Sequence, residues 1–225
     1  PQLRNNSAQE TIMKITVFGA AGNAGSRIVQ EAITRGHEVT AVVRNQKPSH
    51  EFPAGVKVAI GDASQAESIR ALATQQDLLI TATRPQPGKE HELLEITLTF
   101  MDTLKDTGVR LLLVGGAGGL EVPNTQGRLV VDDPQFVPLA WRDIAVACTE
   151  QLNICRNSQG VNWTYLSPPA NFAPGERTGQ FRLGLDELML DEQGQSSVSM
   201  EDFAIAMMDE AEQPKHQEMR FTLGY

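Results

Sequence analysis

The segment from Lys14 to Gly36 constrains the fold of this chain more than any other stretch. A short apolar run, Ile15 to Phe18, is followed by three glycines at three-residue spacing and then by an amphipathic helical pattern. This order predicts a strand, a tight turn and a helix. Gly19 would permit the sharp turn, Gly22 would let a ligand approach the backbone, and Gly25 would let the helix pack closely on the strand.

The amide groups of the first helical turn would point into the gap beside this turn, and a pyrophosphate fits such a gap best. We therefore predict a dinucleotide site. The alternative is a glycine-rich turn that binds no ligand. The strand before the glycines and the helix after them favour the site, because a dinucleotide motif requires that context.

Length and charge limit the classes of protein that this chain can belong to. Its 225 residues suit one α/β domain, and we see no linker that would divide it. The formal net charge of −9 and the lack of a Lys/Arg cluster argue against a nucleic-acid partner. No apolar stretch approaches the roughly 18 residues of a membrane span, so we expect a soluble, cytoplasmic protein with no membrane partner.

The first twelve residues are polar and aperiodic, and Met13 stands directly before the first predicted strand. We interpret residues 1–12 as a disordered leader or an expression remnant, and residues 13–225 as a single domain. Strands and helices alternate along this domain, which predicts an α/β fold of the Rossmann type: a doubly wound parallel sheet in three layers.

Arg44 ends the second predicted strand, 25 residues after Gly19. In a dinucleotide fold this position faces the adenosine ribose, where an acidic residue binds the 2′-hydroxyl and an arginine favours a 2′-phosphate. Asn45, Gln46 and Lys47 add no acid, so the sequence favours NADP, with NAD as the other possibility. Alternatively, Arg44 simply ends the strand in solvent.

Two further strand ends would line the same crevice. Asp62 and Ala63 follow the third strand and could border the adenine, although a helix-capping role for Asp62 or Ser64 is equally compatible with the local sequence. The fourth strand leads into a proline-rich loop towards the nicotinamide half of the site. Its candidate contacts are Thr81, Ala82 and Thr83 for the cofactor and Arg84 for the substrate.

A glycine run follows the fifth strand, Val109 to Val114, which is a nearly continuous apolar run and so predicted to be covered on both faces. Four glycines in five residues would let the backbone lie against a flat nicotinamide or flavin ring. The candidates are Gly115 and Gly116 for the cofactor, and Ala117 and Gly118 for the substrate. The alternative is a flexible loop.

The pattern changes after Ala170, where we predict short hairpin strands at 181–184 and 188–191, a helix from Ser199 to Ala211 and a last strand. We interpret this tail, about residues 170–225, as a small cap over the site within the same domain. Arg177 and Arg182 could orient an acceptor there, or could equally be solvated.

A conventional catalytic acid is missing from the sequence. Short-chain dehydrogenases normally use a Tyr-x-x-x-Lys pair, but neither Tyr165 nor Tyr225 has a lysine four residues later. On the helix that would carry this pair, the same spacing holds Trp141 and Ala145, and we predict that Trp141 faces inward. Catalytic residues are therefore left unassigned.

Metal, disulfide and nucleophile chemistry also lack a motif. The four histidines are scattered without ligand spacing, and no GxSxG element is present. Cys148 and Cys155 lie seven residues apart on a predicted helix, too far along its axis to form a disulfide, and we expect them in the core. The chemistry most compatible with these absences is hydride transfer to an acceptor that needs little help from a protein acid, such as a flavin or quinone.

Several segments together resemble one family over nearly all of residues 13–225. These are GAAGNAGSRIVQEAITRGHEVTAVVR, GDA, GVRLLLVGGAGGLEV, WTYLSPPANFAPGERTGQFRLG, SVSMEDFAIAMMDE and RFTLGY. They are similar to the atypical short-chain dehydrogenase/reductase group of NAD(P)H-binding NADH-flavin reductases, related to NmrA-like proteins and biliverdin-IXβ reductase. The resemblance implies a bacterial cytosolic protein that binds NADP(H) through Arg44 and the loop Gly19, Ala21, Gly22, Asn23, Ala24 and Gly25, with the adenine near Asp62.

Two functions follow from these observations. The first is NADPH-dependent reduction of a flat small-molecule acceptor, with FMN or FAD as possible substrates. The second is a non-catalytic, NADP(H)-sensing regulatory protein of the NmrA type, which the missing Tyr/Lys pair favours. An oligomer is compatible with either.

Overall fold

The computed structural model describes residues 11–45, 47 and 51–225. All but the last two residues of the expected leader lie outside this part of the chain, as does Gln46. The strands are β1 Lys14–Phe18, β2 Glu38–Val43, β3 Lys57–Ile60, β4 Leu78–Thr81, β5 Arg110–Val114, β6 Trp163–Ser167, β7 Asn171–Ala173, β8 Arg182–Gly184, β9 Ser197–Ser199 and β10 Met219–Gly224. The α-helices are α1 Asn23–Thr34, α2 Ala66–Ala73, α3 His91–Leu104, α4 Arg142–Asn157 and α5 Met200–Glu212.

Eight strands form one sheet in the order β3-β2-β1-β4-β5-β6-β10-β8. All neighbouring pairs are parallel except β10 and β8. The chain winds outward in one direction from β1 to β3 and in the other from β4 onward, so the order reverses between β1 and β4. Ligands of open α/β sheets bind at such a switch point, outside the carboxyl ends of the strands.

Helices cover both faces of the sheet, which explains why its central strands are mostly apolar. All four residues of β4 and the first four of β5 are buried. Helices α1 and α5 pack on one face with β1, and α2, α3 and α4 pack on the other. On the second face, the rings of Phe18 and Phe100 meet edge to face with centroids 5.1 Å apart. The predicted three-layer, doubly wound α/β fold is confirmed.

The position of Trp141 was predicted wrongly. A 3₁₀ turn, Leu139–Trp141, precedes α4, and the Trp141 side chain is 58% exposed. A 3₁₀ turn has three residues per turn instead of 3.6, so an α-helical pattern drawn through it assigns its side chains to the wrong face. Cys148 and Cys155 are buried and unpaired, as predicted. No helix in the described ranges is long and apolar enough to cross a membrane.

The tail after Ala170 mostly extends the main sheet. Strand β10 pairs in parallel with β6, and β8 pairs antiparallel with β10 at the sheet edge. The predicted hairpin between residues 181–184 and 188–191 is therefore wrong. Alternating apolar residues predict a strand but do not show which strand it pairs with. The strand at residues 181–184 pairs with β10, at the end of the chain.

A small apolar cluster stands beside the carboxyl ends of the strands. We call it the side lobe: residues 117–137, which follow β5, together with residues 186–190 of the tail. Leu120, Val122, Val130 and Leu188 form its buried centre. Arg220 of β10 joins both parts, since its guanidinium donates to the Gly119 carbonyl at 3.2 Å and to Asp186 Oδ1 at 2.8 Å.

Asp202 fastens the tail to the start of α5. Its fully buried carboxylate accepts hydrogen bonds from the amides of Thr178 and Gly179 at 2.8 and 2.9 Å, and from the hydroxyl of Tyr225 at 2.7 Å. Burial alone raises the pKa of this carboxyl, but the hydrogen bonds from these residues outweigh burial and lower it. Asp202 is therefore ionised at neutral pH.

We expect Asp202→Asn to lower the free energy of unfolding by about 2 kcal/mol at neutral pH, because an amide cannot replace a carboxylate that accepts several hydrogen bonds. A carboxyl with a lowered folded-state pKa stabilises the protein above its unfolded-state pKa, and this contribution disappears as pH falls through the folded-state pKa. Urea denaturation between about pH 7 and pH 3 measures both effects. The variant should lose less stability than the wild type over this range, and an equal loss would contradict the assignment.

Candidate functional site

The three glycines of the first turn have distinct structural roles. Gly19 has a φ of +72°, and a β-carbon there would lie 2.6 Å from the Ala82 carbonyl oxygen. A β-carbon on Gly25 would overlap the carbonyl oxygen of Gly19. At Gly22, by contrast, the nearest atom would be the Gly19 oxygen at 3.3 Å. Gly19 and Gly25 therefore shape the turn, and Gly22 leaves space for a ligand.

Helix α1 begins directly after this turn and offers its first amides to the same space. Gly22 is the N-cap and supplies no side-chain cap, so the amides of Asn23, Ala24 and Gly25 form the start of the helix. The first turn contains no acidic side chain. Such a helix start favours an anion, because its amide groups and dipole carry positive charge.

A cavity of about 690 Å³ opens beside this turn at the carboxyl edge of the sheet. Nine residues proposed from the sequence line it: Gly19, Ala21, Gly22, Arg44, Asp62, Ala63, Ala82, Thr83 and Arg84. The ends of β1, β2, β3 and β4 therefore meet around one space, as a parallel sheet requires. This cavity and the glycine turn define a dinucleotide-binding protein of the Rossmann type.

Arg44 and Lys47 supply positive charge to the cavity wall at the end of β2. Both side chains are exposed, and both line the cavity. From the sequence, Lys47 is only a residue that is not acidic. It lies in a loop, so no helix or strand pattern could assign it to the site.

Asp62 stands in a turn ahead of α2 and does not cap that helix, whose N-cap is Gln65. It lines the cavity, and its Oδ1 accepts hydrogen bonds from the Ser64 hydroxyl at 2.7 Å and the Ser64 amide at 2.9 Å. These bonds to Ser64 are the main cause of the lowered pKa of Asp62, and the nearby charge of Arg44 adds to it. The carboxylate is therefore held in a turn ahead of α2 while it faces the cavity.

Thr81 lies behind the cavity wall. Its side chain is buried, and its hydroxyl lies 3.1 Å from that of Thr83, which does line the cavity. Thr81 therefore contacts Thr83 from behind the cavity wall and does not itself line the cavity.

The glycine run after β5 packs against protein. A β-carbon on Gly115 would overlap the ring of Tyr165. On Gly116 it would lie 2.5 Å from the β-carbon of Cys148, and on Gly118 it would lie 2.6 Å from the Ala145 carbonyl oxygen. Close packing on α4 and β6 therefore explains these glycines, and the close approach of a flat ligand stays a prediction. Ala117 packs against the buried centre of the side lobe.

Both tyrosines of the chain are engaged in structural hydrogen bonds. Tyr165 is fully buried, donates to the Cys148 carbonyl at 2.9 Å and accepts from the Gly116 amide at 3.1 Å. Burial raises the pKa of its phenol well above the usual range. Tyr225 donates to Asp202 at 2.7 Å. Neither phenol is placed to give a proton to a substrate.

Arg84 connects the cavity with α4. It lines the cavity after β4, and its positive charge partly offsets the effect of burial, which raises the pKa of Cys148 to about 11. Cys148 lies on α4 against Gly116.

Arg177 and Arg182, proposed as acceptor contacts, lie elsewhere. Arg177 donates to both carboxylate oxygens of Glu31, on α1, at 2.8 and 3.0 Å. Arg182 donates to the carbonyl oxygens of Leu190 and Tyr225, each at 2.6 Å. Neither arginine lines the cavity, and the acceptor role stays a prediction for both.

Sequence reasoning missed part of the cavity wall that is formed by α3. Glu92, Glu95 and Ile96 line the cavity from its first two turns, and Phe18, Val42 and Val43 line it from strand ends. The helical pattern predicted α3 but not which of its residues reach the cavity. Within the described residues, no group of three or more His, Cys, Asp or Glu side chains could hold a metal ion.

Comparison with known proteins agrees with this geometry. A family model described as NAD(P)H-binding matches residues 19–214. The uncharacterized protein YwnB of Bacillus subtilis (strain 168) is 38% identical over 213 residues, which cover 94% of this chain and 98% of YwnB.

Two solved structures extend the comparison to the whole fold. A Streptococcus pneumoniae TIGR4 protein named a "putative NADH-flavin reductase" is 33% identical, with a TM-score of 0.85 over 94% of this chain and 99% of its own. A Burkholderia pseudomallei protein named a "putative exported protein" is 38% identical, with a TM-score of 0.85 over 95% of this chain and 100% of its own. This chain belongs to the NAD(P)H-binding family, and the resemblance to the atypical short-chain dehydrogenase group is confirmed.

Proposed function

We propose that this protein is an NADPH-dependent reductase of a flat, conjugated acceptor such as a flavin or a quinone. One observation carries the proposal: a glycine-turn cavity with Arg44 and Lys47 on its wall extends to Arg84, while both tyrosine phenols are engaged elsewhere. These features support a phosphorylated dinucleotide as the cofactor and a reaction that needs no phenolic acid.

The residues present fit NADPH. The open space at Gly22 and the first amides of α1 would hold the pyrophosphate. Arg44 and Lys47 would bind a phosphate on the adenosine ribose, near Asp62 and Ala63. Thr83 and Arg84, at the end of β4, would border the nicotinamide half.

When bound, NADPH supplies a hydride to the acceptor and becomes NADP⁺, and the acceptor gains one further proton from water. Arg84 would stabilise the negative charge that the acceptor gains with the hydride. The glycine run and α4 would exclude water from one side, because these backbones pack without a gap.

A second candidate is an NADP(H)-sensing regulatory protein without turnover. The same commitment of Tyr165 and Tyr225 to structural bonds favours it, since a sensor needs a binding site and no acid. Both candidates predict tight NADPH binding, and they differ in whether the bound NADPH is consumed.

Oxidation of NADPH by the purified protein, measured with FMN, FAD and a panel of quinones, tests the proposal. We expect steady oxidation with at least one flat acceptor and faster oxidation of NADPH than of NADH. The Gly25→Ala variant, whose cofactor site we expect to be lost, controls for a contaminating reductase. Tight NADPH binding by calorimetry, with no oxidation by any acceptor, would overturn the reductase function and favour the sensor function.

We expect Arg44→Ala to weaken NADPH binding about 10- to 100-fold and to leave NADH binding nearly unchanged, because one charge-assisted contact to the 2′-phosphate contributes about 1.5–3 kcal/mol. Calorimetric titration with each cofactor measures the two dissociation constants. Arg70→Ala, an exposed arginine on α2 outside the cavity, is the matched control. Equal losses for both cofactors would show that Arg44 does not recognise the phosphate.

We also propose a cytoplasmic location and a small-molecule acceptor as the partner, with neither nucleic acid nor membrane bound. Two buried, unpaired cysteines suit a reducing compartment, and the net charge of −9 does not favour polyanions. Because the Burkholderia pseudomallei relative is named as exported, fractionation of cells is the decisive measurement.

A further inference from the structure

Three carboxylates line the cofactor cavity, those of Asp62, Glu92 and Glu95. Asp62 Oδ1 already accepts two hydrogen bonds from Ser64, and Glu92 lies 4.0 Å from the ammonium group of Lys89. Within the described part of the chain, the exposed carboxylate of Glu95 has neither a hydrogen bond nor a salt bridge. A carboxylate repels phosphate, so its place in the wall of this cavity needs a reason.

Glu95 lies across the cavity from the helix start that would hold the pyrophosphate. Helix α1 packs on one face of the sheet with α5, whereas α3, which carries Glu95, packs on the other face with α2 and α4. The first amides of α1 and the carboxylate of Glu95 therefore border the cavity from opposite sides. This arrangement separates Glu95 from the pyrophosphate and leaves it to meet an uncharged part of the cofactor.

An apolar floor lies on the same side of the cavity as Glu95. Phe18, Val42 and Ala63 belong to one apolar cluster, and Ile96, the residue after Glu95, packs against that cluster. All four residues of this floor line the cavity. A flat aromatic ring buries a large apolar area on such a surface. Because the floor includes the ends of β2 and β3, where the adenosine ribose would bind, the uncharged group that it fits is the adenine base.

We propose that Glu95 selects the base of the cofactor: its carboxylate accepts a hydrogen bond from the 6-amino group of adenine while Ile96 packs against the ring. This role rests on the proposed function, in which the cavity holds NADPH. A carboxylate accepts hydrogen bonds and donates none, so it suits the amino group of adenine and repels the 6-oxygen of hypoxanthine or guanine. Glu95 would thus exclude dinucleotides that carry a 6-oxo purine.

Calorimetric titration with NADP⁺ and with its hypoxanthine analogue, in which oxygen replaces the 6-amino group, tests this role without any turnover. We expect the wild type to bind NADP⁺ about 10-fold more tightly than the analogue. Glu95→Gln should bind the two within about 2-fold of each other, because an amide can accept from the amino group or donate to the oxygen. Glu92→Gln, on the same helix and in the same cavity, is the matched control and should keep the wild-type ratio.

The outcomes separate base selection by Glu95 from the reductase function. A wild type that binds NADP⁺ and the analogue equally, or an unchanged ratio in Glu95→Gln, overturns the role of Glu95 even if the protein oxidises NADPH. Equal weakening of both ligands in Glu95→Gln also overturns it, because the carboxylate would then meet another part of the cofactor. Loss of the ratio in Glu92→Gln transfers the role to Glu92. A ratio that depends on Glu95, with no oxidation of NADPH by any acceptor, supports base selection and removes the reductase.

Discussion

Replacing Gly25 by alanine is expected to weaken NADPH binding at least about 100-fold, equivalent to about 2.7 kcal/mol. The added β-carbon would overlap the carbonyl oxygen of Gly19, so the turn and the start of α1 must separate. That movement displaces the amides that would hold the pyrophosphate, and each charge-assisted hydrogen bond contributes about 1.5–3 kcal/mol. Calorimetric titration with NADPH measures the loss.

Gly36→Ala is the matched control for this variant. Gly36 follows α1 at its other end with a φ of +84°, and a β-carbon there would meet no atom within 4 Å. We expect Gly36→Ala to lower the melting temperature through backbone strain and to leave NADPH affinity unchanged. If Gly25→Ala binds NADPH as the wild type does, the glycine turn does not hold the cofactor.

The second large effect is expected at Glu210, the centre of a buried network near the end of α5. Its carboxylate accepts hydrogen bonds from Arg110 at 2.7 Å and from the amides of Lys215 and His216 at 3.0 and 2.9 Å. Burial alone raises the pKa of Glu210, but the hydrogen bonds from His216, Arg110 and Lys215 outweigh it and lower the pKa. The buried carboxylate is therefore charged and paired at neutral pH.

We expect Glu210→Gln to lower the free energy of unfolding by about 3–5 kcal/mol, because it leaves the buried guanidinium of Arg110 without its counter-charge. Glu212→Gln is the control: Glu212 is a carboxylate on the same helix that is 34% exposed and pairs with Arg35, so its loss should cost less than about 1 kcal/mol. Urea denaturation of both variants gives the comparison. Similar losses for the two would show that the Arg110 pair contributes no more than a surface pair.

The fold could be predicted because its signals are local and repeated. The glycine spacing, the apolar β5 and the alternation of strands and helices each specify a parallel sheet with helices on both faces. The placement of β8 could not be predicted, since pairing with β10 depends on residues about 40 positions later in the chain. The exposure of Trp141 was missed because a short 3₁₀ turn shifts the helical face.

The candidate site likewise contains residues that the sequence predicts and residues that it does not. Residues at strand ends, such as Arg44 and Asp62, were found because all parallel strands end at one edge of the sheet. The packing of the glycine run could not be predicted, since a sequence does not show whether a missing side chain makes room for a ligand or for Tyr165 and α4. The ion pair of Arg177 could not be predicted, because its partner, Glu31, lies on α1, far away in the sequence.

The central claim is that NADPH bound in this cavity gives its hydride directly to a flat acceptor. Single-turnover stopped-flow oxidation, with NADPH deuterated at one or the other face of the nicotinamide C4, tests it most directly. We predict that deuterium slows oxidation from one face only, because a fixed site presents one face of the ring to the acceptor. Two results would contradict the claim. The first is saturated binding of NADPH with no oxidation by any acceptor. The second is an equal rate of oxidation for unlabelled NADPH and for both deuterated forms.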